Sequence, residues 1–129
     1  MSDTPQEISE RAFEFAVRVI KLCQVLDEKP GVSRTLANQL LRSGTSVGAN
    51  LEESKGGQSR ADFLSKVSIS LKEARETHYW LRLLNAAAIL SERQFAPLLD
   101  EANQIVAILT TIVKNTKTQL ISNFSIQTS

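Results

Sequence analysis

Hydrophobic and polar positions recur at helical spacing along nearly the whole chain, and no strand-like alternation persists. From about Glu7 to Asp27, Ile8, Ala12, Phe15, Ala16, Val19, Leu22, Cys23 and Leu26 share one face. Phe13, Val17 and Ile20 form a second apolar strip beside it, which makes the apolar arc wider than a surface helix needs. Lys29-Pro30-Gly31 breaks the pattern. A second helix is expected from Ser33 to Ser54, with Leu36, Leu40, Val47 and Leu51 as its core stripe. Gln39, Arg42, Ser46 and Glu53 line a polar stripe alongside, and Gly56-Gly57 suits a left-handed cap. A third helix opens at Ser59, where Ser59-x-x-Asp62 resembles a capping box, and runs to about Ala88. Phe63, Val67, Ser70, Leu71, Ala74 and Leu81 lie on one of its faces. A second line holds Ile69, Glu73, Glu76, Trp80, Leu84 and Ala87. The fourth helix opens on the capping box Ser91-x-x-Gln94, with Pro97 slightly late for a first turn. Its stripe is Phe95, Leu98, Leu99, Ala102, Ile105, Val106, Leu109, Ile112 and Val113.

Four amphipathic helices joined by short breaks predict an all-α, antiparallel up-down-up-down four-helix bundle over residues 1–118. Residues 119–129 are polar and weakly patterned, and a flexible C-terminal tail is expected there. The extra apolar positions Phe13, Val17, Ile20, Ile69, Trp80 and Leu84 would stay uncovered in a monomer, which points to a homo-oligomer interface. Leu40 to Gly57 is the anomalous stretch. Ser43, Gly44, Thr45, Ser46, Gly48, Ala49 and Asn50 are middling or poor helix formers. Such residues suit a helix when a neighbour packs close to its backbone, and Gly44 and Gly48 stand one turn apart.

At 129 residues the chain is one domain, long enough for a real core. Aromatic residues make up 5%, too few for a base-stacking platform, and the formal net charge is +1. The single cysteine excludes an internal disulfide, the polar acidic start is unlike a secretion signal, and no apolar run approaches a membrane span. These features lead us to expect a cytoplasmic protein with no membrane partner.

The candidate chemistry is sparse. A carboxylate-bridged di-metal bundle needs paired Glu-x-x-His motifs, whereas His78 is the sole histidine and lacks a Glu three positions before it. Cys23 lies on an apolar face as a small core residue would, and Gly56-Gly57 lacks a phosphate-cradling pattern. No catalytic, cofactor or metal site is expected. Glu73 and Glu76 instead stand beside Trp80 on a face that looks interfacial, where carboxylates need partners. Arg42 is the candidate partner, with Ser46, Asn50 and Glu53 completing a polar network; the plainer alternative is local pairing with Lys72 or Arg75. Residues 31–90 carry eight Lys/Arg against five Asp/Glu. That modest excess makes Lys55, Arg60, Lys66, Lys72 and Arg75 candidates for RNA or DNA contact, although such a run is usually a solvated face.

Ser43-Gly-Thr-Ser-Val-Gly-Ala-Asn-Leu-Glu-Glu-Ser54, followed by Ser59-Arg-Ala-Asp-Phe63, resembles the signature of the bacterial four helix bundle protein family. That family includes proteins encoded in intervening sequences of large-subunit ribosomal RNA genes. Lys66 to Thr77 and Tyr79-Trp-Leu-Arg-Leu-Leu84 extend the similarity, which covers roughly Phe13 to Lys114. Many members carry proline where this chain has Gly48, and Ala-Glu-Gly where it has Glu52-Glu53-Ser54, so it resembles a glycine-bearing branch. The resemblance implies an antiparallel bundle that assembles as a ring-shaped homopentamer without known catalytic residues, with nucleic-acid association suggested by a protein of shared fold. A non-enzymatic oligomeric scaffold that binds RNA or DNA is the expected function; a protein-binding adaptor without nucleic-acid affinity is the alternative.

Overall fold

A computed structural model describes residues 5–56 and 59–128, with the side chains of residues 5, 6 and 125–128 left out of account. Four helices follow in order: α1 (Pro5–Asp27), α2 (Val32–Lys55), α3 (Arg60–Ala86) and α4 (Glu92–Thr128). Each packs on the next and α4 returns to α1, so the chain is an all-α four-helix bundle. Among the described residues the diagonal pairs make no comparable contact, and α1 against α4 is the sparsest seam.

The core is the set of stripes that helical periodicity marks out. Phe15, Val19 and Leu26 of α1 meet Leu40, Val47 and Leu51 of α2, Leu81 and Leu84 of α3, and Phe95, Ile105 and Leu109 of α4, all essentially without solvent exposure. Burying one such side chain stabilises the fold by about 1.5–3 kcal/mol. Leu84, expected at an oligomer interface, is fully buried inside the chain's own core and is withdrawn from that surface. Its helical phase lies between the two apolar lines of α3, and intramolecular packing takes it.

Side chains close the bundle ends. Ser33 Oγ donates to Leu26 O at 3.1 Å and Arg34 donates to Asp27 O at 2.9 Å, satisfying carbonyls at the end of α1. Lys29 Nζ reaches Ile89 O at 3.3 Å and ties the α1–α2 turn to the α3–α4 turn. Ser59 Oγ accepts from Asp62 N at 3.1 Å, and Ser91 N donates to Gln94 Oε1 at 3.2 Å, as the two capping sequences predict. Gly56 caps α2 with φ −92°, a right-handed geometry, so the left-handed cap is not formed there; Gly57 lies outside the described residues.

The stretch from Gln119, expected as a tail, is helical to Thr128. No glycine or proline follows Pro97 to stop the helix, and Arg60 donates to Gln119 Oε1 at 2.7 Å. At 37 residues α4 is about 55 Å long and outreaches every other helix. By length and composition Glu92–Phe124 could cross a membrane, a property shared with core helices, and its stripe from Phe95 to Val113 is packed into the bundle.

Candidate functional site

The small-residue stretch of α2 packs against α1 on one side and α3 on the other. A Cβ built on Gly44 would lie 2.9 Å from Val19 Cγ1 of α1, closer than atoms pack. At Gly48 the nearest α1 atoms, all of Ala12, would be 3.6 Å away, an ordinary contact. Gly44 is therefore the position that requires the missing side chain.

Toward α3 the same stretch uses hydrogen bonds. Ser70 Oγ donates to Val47 O at 2.7 Å, and the hydroxyls of Thr77 and Ser43 lie 2.9 Å apart. Ser43, Ser70 and Thr77 are all buried, so these bonds form in a dry seam where an unpaired hydroxyl would be costly. Ser43 and Thr77 were not anticipated as partners. The available signal was that Ser70 and Thr77 stand seven residues apart on the core line of α3.

Arg42 projects from α2 over α3 and grips both carboxylates, 3.1 Å to Glu73 and 2.5 Å to Glu76. The hydrogen bond from Arg42 is the main reason that Glu76 is held below the usual carboxylate range, and Glu76 in turn raises the Arg42 guanidinium. The Trp80 indole N–H is buried and makes no hydrogen bond of acceptable geometry, yet it lies close enough to Glu76 to help lower its pKa. Tyr79 packs edge-on against Trp80, with ring centroids 5.4 Å apart.

The rest of the expected network does not join this cluster. Ser46 Oγ donates to Arg42 O at 2.7 Å and Asn50 Nδ2 donates to Ser46 O at 2.9 Å, both within α2's own backbone. Glu53 pairs with Lys66 at 2.8 Å, away from the Arg42 cluster. Arg42, Glu73 and Glu76 are the part brought together. On the far side, Arg11 of α1 clamps Glu101 of α4 at 2.8 Å and donates to Gln104 at 2.9 Å, and Ser9 donates to Glu52 at 2.9 Å.

Three of the five basic candidates have partners within the chain. Lys66 is paired with Glu53, Lys55 lies 3.2 Å from Glu52, and Arg60 donates to Gln119 while stacking 4.9 Å over the Phe63 ring. Lys72 and Arg75 are exposed and carry no ion pair among the described residues.

Cys23 is buried, and its thiol donates toward Ala37 O at 3.4 Å. Burial, reinforced by Asp27, pushes its pKa up to about 11, so it is a poor nucleophile. Burial, with Arg82 nearby, lowers His78, which favours the neutral ring. Among the described residues no three His, Cys, Asp or Glu side chains gather where they could share a metal ion. A shallow groove of about 220 Å³ runs between α1 and α2 past Ile20, Cys23 and Leu41. A second, of about 320 Å³, lies over the sparse α1–α4 seam at Leu22, Val25 and Pro97.

The expected interface residues of α1 do face outward. Phe13 is 67% exposed, and Val17 and Ile20 are each about two-fifths exposed. Ile69 is similarly exposed on α3, with Trp80 half-buried.

A four-helix bundle with a tight small-residue helix and an Arg–Glu–Glu cluster over its second and third helices defines the class. Residues 5–111 match the 23S rRNA-intervening sequence protein family, and the chain belongs to it. A solved structure from Bacteroides thetaiotaomicron, a protein of unknown function from the S23 ribosomal protein family, is 39% identical. It superposes with a TM-score of 0.77, over 83% of this chain and 98% of that one. No curated protein matches.

Proposed function

We propose that this protein is a non-enzymatic homo-oligomeric scaffold, assembled as a ring of five chains in the cytoplasm. The observation that carries this reading is the outward apolar stripe Phe13, Val17 and Ile20, on a helix whose opposite face already fills the core. A second apolar strip, Ile69, Leu83 and Trp80, stands on α3 across α2. Two different sticky surfaces on one chain favour repeated, heterologous contacts, the kind that close rings. The number five follows from the family resemblance. Light scattering coupled to gel filtration tests it: five chains or a multiple of five per particle is the expected result, and a clean monomer at micromolar concentration overturns it.

Within this reading, RNA or DNA binding would fall to Lys72 and Arg75, repeated around the ring. Labelled RNA titrated at low salt should bind, and binding should weaken steeply as salt rises. The internal pairing of Lys55, Arg60 and Lys66 favours a second reading, a protein-binding adaptor without nucleic-acid affinity. Absence of binding at low salt would select it.

A further inference from the structure

We infer that the outward face of α3 holds one unpaired nucleic-acid strand, with Lys72, Arg75 and Arg82 on its phosphates and Tyr79 stacked on one base. The inference rests on the nucleic-acid reading above and names the form of nucleic acid that this site takes.

Lys72, Arg75, Tyr79 and Arg82 follow a three-four-three spacing on α3. They share an arc of about 80° and span about 15 Å of the helix. All four are exposed, Tyr79 by half, and the three cations form no ion pair among the described residues.

The fold is what leaves these charges unanswered. Lys72 and Glu76 stand four apart, the spacing at which a helix pairs opposite charges. Glu76 instead turns to Arg42 of α2 at 2.5 Å, and Glu73 meets the same guanidinium at 3.1 Å. Asp62, Glu73 and Glu76 are the acidic residues of α3, and they lie within about 60° of one another on the side toward α2. Ile69 and Trp80, of the apolar strip assigned to the ring, share that side. Toward α4, Arg60 stands level with Gln119, which brings Arg75 level with about residue 104. From Ala102 onward α4 has no acidic residue, Glu101 is held by Arg11, and Asp100 accepts from Gln104 at 2.9 Å. Arg42 is therefore a positioning residue: by taking both carboxylates it keeps Lys72 open to a ligand.

Phosphate contacts alone would take a strand and a duplex alike. Tyr79 separates them. It stands four residues after Arg75 and three before Arg82, in the middle of the cations. An aromatic ring in such a setting stacks on a base face, and a duplex hides those faces between neighbouring pairs. Trp80 meets Tyr79 edge-to-face, with ring centroids 5.4 Å apart, so at least one face of Tyr79 is not covered by it. One tyrosine holds one base, which distinguishes this site from a platform for a run of bases. RNA and DNA strands present the same phosphate and base face to it.

The test is fluorescence anisotropy with the full chain at low salt, using a labelled RNA of about twelve nucleotides, alone and annealed to its complement. The single strand should bind about fivefold more tightly than the duplex or better. Its affinity should fall with salt at a logarithmic slope of about −2, as expected for three phosphates on a single strand. Tyr79→Leu should remove the preference for the strand, and Tyr79→Phe, which keeps the ring, should retain it. Arg82→Gln should weaken strand and duplex together and make the slope shallower by about 0.7. Arg42→Gln should weaken binding by about threefold as Glu76 turns to Lys72, and adding Glu76→Gln to that chain should restore it. Circular dichroism checks that each variant folds. Equal affinity for strand and duplex, or a Tyr79→Leu chain that keeps the preference, overturns the inference and leaves nucleic-acid binding standing. Absence of binding by either probe overturns both.

Discussion

Gly44 and Gly48 look alike in the sequence and differ in the fold. Alanine at Gly44 forces its Cβ into Val19, which is fully buried and has nowhere to yield. Overpacking of that kind costs about 1–3 kcal/mol, and the roughly 1 kcal/mol gain in helix propensity offsets only part of it. Alanine at Gly48 meets ordinary contacts and keeps the propensity gain. Gly44→Ala should therefore lower the melting temperature and Gly48→Ala should raise it. Equal shifts in a thermal melt would refute the assignment of close approach to Gly44. Spacing alone marked both glycines; only the depth at which α1 sits separates them.

At the scale of elements, α3 ends in a motif built without its usual residue. Ala88 has φ 55°, Ala88 N bonds Asn85 O at 3.1 Å, and Ile89 N bonds Leu84 O at 3.3 Å. This is the left-handed closure that glycine normally supplies, and an L side chain there costs about 1 kcal/mol. Ala88→Gly should stabilise the protein by about that amount, read as a rise in the urea midpoint. An unchanged or lower midpoint would mean that the alanine relaxes out of this geometry. Helix starts were legible because Ser59 and Ser91 announce them by side-chain chemistry. The end of α3 falls at Ala86 with Ala87 as its cap, within two residues of the expected Ala88, but the left-handed turn at Ala88 was not legible because alanine does not announce it.

The whole molecule has an acid response set by its polar contacts. His78 is lowered by burial, so its contribution is complete above the unfolded value of about 6.5 and is lost as pH falls through the depressed folded value. Glu76, lowered chiefly by Arg42, and Glu52, lowered chiefly by Ser9, contribute above about 4.3 and lose that contribution below it. Stability should be flat near neutrality, decline first below about pH 6.5, and decline again below about pH 4.3. Urea midpoints measured across this range check it, and His78→Gln should abolish the first decline while leaving the second. A variant that keeps the first decline would assign it elsewhere.

Periodicity and capping chemistry determined four helices, their order and nearly all of the core, because stripe position and end signals are local properties of the chain. That Glu73 and Glu76 need a cation was also legible, since they stand beside an apolar tryptophan; the fold chose Arg42 over the local alternatives Lys72 and Arg75. Three things waited for the fold. Leu84 turned inward because its phase lies between two faces, and packing chose. Ser46, Asn50 and Glu53 left the expected network because their own backbone and Lys66 were nearer partners than Arg42's cluster. The basic face thinned because Lys55, Arg60 and Lys66 each found a neighbour. Charge is counted along a chain, but whether it is already answered depends on distances that only tertiary structure sets.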